Sequence, residues 1–378
     1  MIYLDYQATT PIDSEVASLV DDAARELWAN PSSAHMAGLK SHEAIGKARR
    51  KIARLLGCRP HELYFTSGAT EANNWAIATV EASPASHIVT SAIEHKSILD
   101  ACRAFQRSGG ELTVLPVNEL GFVEPADVKK AIGPRTRLVS VMVANNEVGA
   151  VQPIAEIADV IAEAGIPLHT DATQAVGYVL DDFGQLPADL ISFSSHKLYG
   201  PKGMGALYIS DTFQASNKQI RSLLHGGGQE GGRRPGTENL PAIVGFARAL
   251  ELTKAVSATE KLRVSDLKNA FWNILAAEVP GIVRNSPDHD CLPNCLNIRI
   301  PGVDAGQLMA AVPQIAISAG SACNSNDQQP SHVLLAMGLS PDEARSSLRI
   351  GFGRTTTPAD VFDAATAIAV VASHIRSE

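Results

Sequence analysis

The first half of the chain alternates short apolar runs with longer amphipathic segments. The runs are rich in β-branched and aromatic side chains, and helix-length stretches such as 154–164 separate them. Runs of this length and composition are typical of buried strands in a largely parallel sheet with helices on both faces. We therefore predict strands at 63–66, 87–90, 112–115, 138–143, 168–171, 190–193 and 206–209.

The pattern changes after a glycine-rich stretch at 226–236. A long helical region at 242–278 follows, and the clearest later strand is 297–300. A chain of 378 residues also exceeds the roughly 250 to 300 residues at which one core usually stops growing. We predict an α/β fold with a large domain at 13–250, built on a mainly parallel seven-stranded sheet, and a smaller α+β domain formed by 1–12 and 251–378.

Composition and charge exclude several classes of protein. Hydrophobic residues make up 45% of the chain, as in an ordinary globular protein, and the net charge of −8 argues against a nucleic-acid or anionic-membrane surface. The N-terminal residues do not resemble a signal peptide, and the apolar run 364–372 is shorter than the ~20 residues of a membrane span, so we predict a packed helix there. The five irregularly spaced cysteines fit a reducing compartment. We expect a cytoplasmic protein.

Polar and ionisable side chains follow several of the predicted strands. In open parallel sheets, ligands bind outside the carboxyl ends of the strands. Gly68, Ala69 and Thr70 lead from the first predicted strand into a helix whose free N–H groups suit a phosphate. Taken by itself, that segment is better explained as an ordinary capped helix start. Because three later strands lead to His95, Asn145 and Asp171, a binding site at this edge becomes the better explanation.

Lys197 is the residue that gives this edge a chemistry. It follows an apolar strand and precedes a turn rich in Gly and Pro, so we expect its amine to lie in a dry cleft. Desolvation lowers the pKa of a lysine, and only the neutral amine forms a Schiff base with an aldehyde. A surface lysine in a loop explains this segment equally well when the segment is taken alone.

A set of ordered motifs covering nearly the whole chain resembles the NifS/IscS cysteine desulfurases, which are class V aminotransferase-like, fold-type-I pyridoxal-phosphate enzymes. Ser195 departs from the pattern, since the family often has Gly there, and its small side chain should be tolerated. The matching motifs are Tyr3-Leu4-Asp5-Tyr6-x-Ala8-Thr9-Thr10-Pro11, Thr66-Ser67-Gly68-Ala69-Thr70-Glu71, Glu94-His95-Lys96, Asn145-Asn146-Glu147-x-Gly149, Asp171-Ala172-x-Gln174, Ser194-x-His196-Lys197, His225-Gly226-Gly227-Gly228-Gln229-Glu230 and Ser321-Ala322-Cys323.

The resemblance implies pyridoxal 5'-phosphate as cofactor and assigns roles around it. Lys197 would bind its aldehyde, Asp171 would pair with the pyridine nitrogen, and Gln174 would hydrogen-bond the ring hydroxyl. His95 would stack on the ring and relay protons. Thr237 would reach the phosphate of the neighbouring subunit, which implies a homodimer. The cofactor-binding residues expected in this way are Ala69, Thr70, His95, Asn145, Asp171, Gln174, Ser194, His196, Lys197 and Thr237.

Two further residues define the expected reaction. By the resemblance, Arg349 binds the substrate carboxylate with help from Asn145, and a guanidinium fork suits that contact. Cys323 lies among small and polar residues, which predicts a mobile loop at about 320–330. A lone cysteine is more often a buried hydrophobe, but these neighbours favour a nucleophile. We expect L-cysteine to become L-alanine while Cys323 holds the sulfur as a persulfide, with Lys197 and His95 as the other catalytic residues.

Several alternatives stay open at this point. A selenocysteine lyase, another transaminase-type enzyme and a non-catalytic scaffold share much of the pattern. The persulfide requires an acceptor protein, and iron–sulfur cluster assembly, tRNA thiolation, cofactor biosynthesis and DNA phosphorothioation all use such enzymes. We expect no metal site, because His289, Cys291 and Cys295 lie in a segment that resembles a surface loop. Cys58 and Cys102 fall in helical patterns and Cys295 leads into an apolar strand, and we expect all three to pack.

Overall fold

The computed structural model describes residues 1–216, 220–319 and 329–377. Its strands are β1 (Ile2–Tyr3), β2 (Leu63–Thr66), β3 (His87–Ser91), β4 (Glu111–Leu115), β5 (Thr136–Ser140), β6 (Leu168–Asp171), β7 (Leu190–Ser194), β8 (Gly205–Ile209), β9 (Val283–Arg284), β10 (Cys295–Arg299), β11 (Ile315–Ala316) and β12 (Ser347–Gly351). Its α-helices are α1 (Ser14–Glu26), α2 (Met36–Leu55), α3 (Ala69–Ala78), α4 (Lys96–Arg107), α5 (Pro125–Ala131), α6 (Ile154–Ala162), α7 (Asp211–Ala215), α8 (Leu240–Glu278), α9 (Ala305–Ala311), α10 (His332–Ala336), α11 (Pro341–Arg345) and α12 (Pro358–Ser377).

The central sheet has seven strands in the order β2-β8-β7-β6-β5-β3-β4. Neighbours from β7 to β4 are parallel, whereas β8 is antiparallel to both β7 and β2. All the other strands therefore end at the same edge, opposite to the end of β8. The predicted α/β class and mainly parallel seven-stranded sheet are confirmed.

Successive residues in these strands pack into different hydrophobic clusters, because side chains alternate between the two faces of a sheet. Val89 and Ile191 belong to one cluster, whereas Ile88 and Leu190 belong to another. Because both faces of the inner strands are covered, most of their residues are apolar, and this composition made them recognisable in the sequence.

A second group of elements surrounds a separate hydrophobic cluster. It contains the antiparallel sheet β12-β10-β9 and the two-stranded parallel pair β1-β11. Helix α8 contributes Phe246 and Leu250 to the large-sheet cluster and Phe271 and Leu275 to this second one. The division at residue 250 falls within that helix, and the domain limits given above stay a prediction.

Helix α12 is longer than the apolar run suggested. It spans 20 residues, and by length and composition alone it could cross a membrane. The apolar run 364–372 is the middle part of this helix, which extends beyond the run on both sides. Its Ala364, Ile368 and Ala372 are buried in the second cluster, as expected of a packed helix.

Cys58 lies beyond the end of a helix, contrary to the helical pattern assigned to it. Helix α2 ends at Leu55, and Gly57 adopts a φ of 67° that turns the chain. The thiol still packs against the large-sheet cluster. Cys102 on α4 and Cys295 on β10 are buried, and burial raises the pKa of each to about 12, as expected for inert packing cysteines.

Candidate active site

A cavity of about 460 Å³ opens at the edge where the parallel strands end. Loops that follow β2, β3, β6 and β7 form its walls, and Arg349 on β12 reaches it from the second sheet. Of the residues predicted for the site, those that line it are Ala69, Thr70, His95, Asp171, Gln174, His196, Lys197 and Arg349.

One end of the cavity is suited to a phosphate. Helix α3 starts there at Ala69, and its N-cap residue Gly68 has no side chain to cap the first turn. The N–H groups of that turn can therefore bind an anion. Ser194 pairs with Gly205 behind this end and does not line the cavity; it is almost fully buried, and its hydroxyl has no hydrogen-bond partner among the described residues. A Cβ on Gly205 would approach the Gly68 backbone to 2.7 Å. Strand β8 can therefore pack against this turn only because residue 205 has no side chain.

His196 lies near the same end with a neutral ring. Its Nδ1 and the Thr9 hydroxyl are 3.1 Å apart, and its backbone carbonyl accepts a hydrogen bond from the Thr10 hydroxyl at 2.8 Å. Burial, assisted by Lys197 and Lys202, lowers the pKa of His196 to about 4. At neutral pH the imidazole is therefore an uncharged hydrogen-bonding group.

Lys197 follows β7 in a short 3-10 turn, so its side chain points from the end of the strand into the cavity. Its Nζ donates hydrogen bonds to the backbone carbonyls of Gln7 and Ala8, at 2.9 Å for Ala8. The N-terminal segment thus holds the amine inside the cavity. The sequence predicted the lysine but not these partners.

Asp171 is buried at the end of β6 and holds both carboxylate oxygens in hydrogen bonds. Its Oδ1 accepts from the Thr173 N–H at 2.8 Å, and its Oδ2 accepts from Asn73 Nδ2 at 2.7 Å. Each oxygen keeps a further lone pair. The carboxylate is therefore fixed in position and can still accept a hydrogen bond from a bound molecule.

His95 is the N-cap residue of α4, and its Nδ1 accepts from the Ser97 N–H at 3.2 Å. Ser97 Oγ lies 2.8 Å from the same nitrogen. Burial lowers the pKa of His95, with Lys197 and His332 adding to the effect, while Asp171 opposes it. The ring is neutral at neutral pH.

Gln174 donates to the Gln7 carbonyl at 3.0 Å, beside the bond from Lys197 to the same oxygen. Gln7 itself is buried and donates from Nε2 to the Asn294 carbonyl at 2.8 Å. The N-terminal segment is thereby anchored between the two sheets. The Gln7 carbonyl thus orients both Gln174 and Lys197, two of the predicted cofactor-binding residues.

Arg349 is buried and already paired. Its Nη2 contacts Asp5 Oδ1 at 2.8 Å and its Nη1 donates to the Asn146 carbonyl at 3.2 Å. Its Nε has no hydrogen-bond partner among the described residues. The guanidinium has five N–H donors, so these two bonds leave one N–H on each of Nη1 and Nη2 for a bound carboxylate, whereas Nε is buried.

Asn145 does not line the cavity. Its Oδ1 accepts from the N–H groups of Glu147 and Val148 at 2.8 and 2.9 Å, and its Nδ2 donates to the Ile93 carbonyl at 2.9 Å. These bonds shape the turn that presents the neighbouring Asn146 to the cavity. A direct contact of Asn145 with cofactor or substrate stays a prediction.

Two other predicted residues lie elsewhere. Thr237 lines a separate cavity of about 200 Å³ that shares Ser67, Gly203 and Met204 with the main one. Cys323, the predicted nucleophile, and most of the predicted loop at 320–330 lie outside the described residues. The roles of both residues stay predictions.

Sequence reasoning missed four residues that hold the site together: Gln7, Asp5, Asn73 and Ser97. A signal existed for Asn73, because it lies one helical turn beyond Ala69 and Thr70 and so shares their face of α3. Ser97 carried no such signal, because the N-cap of α4 is His95 and Ser97 lies two positions later in the first turn. Gln7 acts through its carbonyl, which no side-chain motif reveals.

The residues present fit pyridoxal phosphate. A buried hydroxyl without a partner and an open helix start suit the phosphate. A fixed carboxylate at Asp171 suits a pyridine N–H, and the amine of Lys197 suits an aldehyde. Within the described ranges, no three His, Cys, Asp or Glu side chains group as metal ligands would.

Comparisons with known proteins agree with this geometry. The aminotransferase class-V model matches residues 2–363. The cysteine desulfurase IscS of Dictyoglomus turgidum is 40% identical over 365 residues, which cover 95% of this chain and 91% of that protein. The cysteine desulfurase of Mus musculus is 41% identical over 364 residues, covering 95% of this chain and 79% of that protein.

Solved structures give the same result. A NifS-like protein superposes with a TM-score of 0.90 at 33% identity, covering 99% of both chains. SspA in complex with cysteine superposes with a TM-score of 0.81 at 36% identity, covering 93% of this chain and 99% of that one. The chain therefore belongs to the aminotransferase class-V family and, within it, to the group of the NifS- and IscS-type cysteine desulfurases.

Proposed function

We propose that this protein is a pyridoxal-phosphate-dependent cysteine desulfurase that converts L-cysteine to L-alanine and holds the released sulfur on Cys323. The observation that carries the proposal is the convergence of Lys197, Asp171 and Arg349 on one cavity from distant parts of the chain. An amine, a carboxylate and a guanidinium so placed suit an aldehyde cofactor together with an amino-acid substrate. SspA, a structural relative, is described in complex with cysteine.

The cofactor supplies an electron sink that stabilises negative charge at the substrate Cα. Asp171 would hold its pyridine nitrogen protonated, since the carboxylate is buried and fixed by two hydrogen bonds. Gln174 would bind the ring hydroxyl. The start of α3, Ser194 and His196 would hold the phosphate.

Lys197 and His95 handle protons. The amine of Lys197 lies in the cavity and, once released from the cofactor, would take the proton from the substrate Cα as general base. His95 lines the same cavity with a neutral ring at neutral pH. The neutral ring would relay a proton by releasing the one it carries while its other nitrogen takes one up, so that the ring stays uncharged.

Arg349 would bind the substrate carboxylate through the N–H groups of Nη1 and Nη2 that its bonds to Asn146 and Asp5 leave unused. A buried guanidinium makes charge-assisted hydrogen bonds that are stronger than those in water. The contact would orient the substrate so that its Cα lies towards Lys197. It would also exclude amines that lack a carboxylate.

Cys323 would act as the nucleophile in its thiolate form. Its sulfur attacks the substrate sulfur, an S–S bond forms, and the C–S bond breaks with its electron pair remaining on carbon. Protonation of that carbon leads to alanine, and the sulfur stays on Cys323 as a persulfide. An acceptor protein, such as a scaffold of iron–sulfur cluster assembly or a thiolation enzyme, would then take it.

The proposal includes a homodimer and a cytoplasmic location. Three apolar side chains near the junction of α1 and α2 are exposed, with Trp28 at 77%, Met36 at 72% and Leu39 at 51%. Such side chains favour burial against another surface, here a second copy of the chain. In that dimer Thr237 would contact the phosphate held by the partner.

The test measures alanine and sulfide release from L-cysteine by the cofactor-loaded protein in the presence of a thiol reductant. We expect both products in equal amounts. The C323S variant should retain bound cofactor but release no sulfide, whereas C102S, which removes a packing thiol, should remain active. Full sulfide release by C323S would refute the nucleophile, and release from selenocysteine but not from cysteine would identify a lyase instead.

A further inference from the structure

A continuous chain of hydrogen bonds connects Asp171 with His95 through two residues that no motif marks. Asn73 Nδ2 lies 2.7 Å from Asp171 Oδ2 and 2.9 Å from Ser97 Oγ. Ser97 Oγ lies 2.8 Å from His95 Nδ1. Asn73 is fully buried and Ser97 is 9% exposed, so water does not compete for these bonds.

The direction of the two bonds made by Asn73 is determined. The Asp171 carboxylate only accepts, so Asn73 must turn its NH₂ group towards it. The second N–H of that group then points at Ser97, whose hydroxyl oxygen accepts it. The hydroxyl hydrogen of Ser97 is thereby left for His95 Nδ1.

The backbone determines the direction of the bond between Ser97 and His95. The Ser97 N–H can only donate, and it lies 3.2 Å from His95 Nδ1. Because Nδ1 accepts hydrogen bonds from both donors, it carries no proton in the neutral ring. The proton must then reside on Nε2.

We propose that Asn73 and Ser97 are positioning residues that bind Asp171 and His95 into one unit and fix the proton of His95 on Nε2. In the proposed function Asp171 contacts the pyridine nitrogen of the cofactor and His95 contacts the face of its ring. The chain of hydrogen bonds would orient these two residues together. In the resting site His95 would donate a hydrogen bond through Nε2. The inference rests on the proposed function only for its effect on turnover.

The first experiment needs neither cofactor nor activity. The apoprotein is labelled with ¹⁵N-histidine, and the His95 signals are identified by their absence in H95Q. We expect an unprotonated Nδ1 and a protonated Nε2. S97A should introduce a population with the proton on Nδ1, because only the weaker backbone donor remains, and S97T should restore the original state because it retains the hydroxyl.

A matched control is available on the neighbouring strands. Ser140 Oγ lies 2.8 Å from His169 Nδ1 in a fully buried pair that does not line the cavity. S140A should alter the His169 signals and leave those of His95 unchanged. N73L, which removes both amide donors, provides a second test should S97A fail to fold.

The second experiment measures kcat and KM for L-cysteine with the loaded enzyme. S97A and N73L should lower kcat about three- to tenfold, as expected for a lost buried hydrogen bond, with little change in KM and with recovery in S97T. A proton on Nδ1 in the unmodified protein, or a tautomer unaffected by S97A and N73L, would overturn the inference. Absence of turnover in the unmodified enzyme would instead contradict the proposed function and leave the NMR result to decide the positioning role.

Discussion

At the scale of single residues, the site depends on charges that burial and neighbours control. Glu94, one residue before His95, is fully buried. Its Oε1 accepts from the Ser91 hydroxyl and the Met142 N–H, while its Oε2 has no hydrogen-bond partner among the described residues. Burial, with a smaller contribution from Asp171, raises the pKa of Glu94 from 4.5 to about 8. The carboxyl is therefore protonated at neutral pH.

This raised pKa predicts a pH-dependent stability. The folded state binds the Glu94 proton more tightly than the unfolded state, so its stabilising effect is complete below pH 4.5 and is lost as pH rises through about 8. From about pH 6 to pH 9 the free energy of unfolding should fall in the unmodified protein as the Glu94 proton is lost. In E94Q this fall should be smaller by more than about 1.4 kcal/mol. Urea unfolding at both pH values measures the difference.

E156Q is the control for this comparison, since Glu156 is exposed on α6. It should follow the unmodified protein at both pH values. Equal losses in E94Q and the unmodified protein would show that the Glu94 proton contributes nothing to stability over this range.

The Asp5–Arg349 pair predicts how substrate binding responds to a change of charge. D5N keeps the shape of the side chain but removes the charge that competes with the substrate carboxylate for Arg349. We expect the Kd of the product L-alanine to fall at least about threefold in D5N. R349K should raise it more than about tenfold, because an ammonium group cannot form the bidentate fork. Calorimetry on the loaded enzyme gives both values.

An unchanged Kd in both variants would place the substrate carboxylate elsewhere. A fall in D5N alone, with R349K unaffected, would show that Asp5 repels the ligand without Arg349 as its binding group.

At the scale of elements, the phosphate end depends on how closely β8 and the start of α3 approach each other. Because Gly205 has no side chain, β8 can pack closely against the backbone of Gly68. A Cβ at position 205 would also come within 2.8 Å of the Phe193 carbonyl. Since backbone atoms cannot move aside as a flexible side chain can, any substitution must shift the helix start. The N–H groups of α3 would then leave the positions that suit an anion.

G205A should therefore weaken binding of pyridoxal phosphate by the apoprotein at least about tenfold. G133A is the matched control, because a Cβ at Gly133 meets no atom within 4 Å. Titration of the apoproteins with the cofactor, followed by absorbance, measures both affinities. Equal affinities in G205A and G133A would mean that this contact does not shape the phosphate site.

The elements that the sequence could predict are those with a strong composition. Strand β2 was predicted with its observed limits, whereas the run predicted to end at 143 leaves its strand at Ser140. Val141 and Val143 still donate to β6 carbonyls and stay buried, so apolar composition did not reveal where the strand ends. The two-residue strands β1, β9 and β11 are too short to form any pattern.

The site was predictable where a side chain has one chemical role. Lys197 comes just after a predicted strand and Asp171 is the last residue of another, and both residues line the cavity. Asn73 could not be identified in this way, because its role is set by a carboxylate 98 positions later in the chain. Hydrogen bonds between distant segments depend on the packed fold, and local patterns do not encode them.

At the scale of the whole molecule, helix α8 joins the two hydrophobic clusters and Arg263 strengthens the join. Its guanidinium donates to the carbonyls of Thr356 and Gly353 at 2.7 Å each. Those residues follow β12, which carries Arg349. The second sheet is thus held against the helix that also covers the central sheet, and the substrate-binding arginine is held relative to Lys197.

The proposed homodimer can be tested through the exposed apolar surface near α1 and α2. M36E places a charge on that surface and should shift sedimentation from about twice the chain mass of 40.0 kDa towards the monomer. F362E, on the equally exposed Phe362 of α12, should stay dimeric. A monomeric unmodified protein, or loss of the dimer only in F362E, would contradict the assignment of this surface.

The hydrogen bond from Lys197 to Ala8 joins positions 189 residues apart, and the pair of Asp5 with Arg349 joins positions 344 apart. Contacts of such long range form late, after local structure has been made. During synthesis, Asp5 cannot pair with Arg349 until β12 has left the ribosome. A nascent or truncated chain would therefore possess the reactive lysine without the architecture that restrains it, so catalytic competence comes with the last segments to be translated.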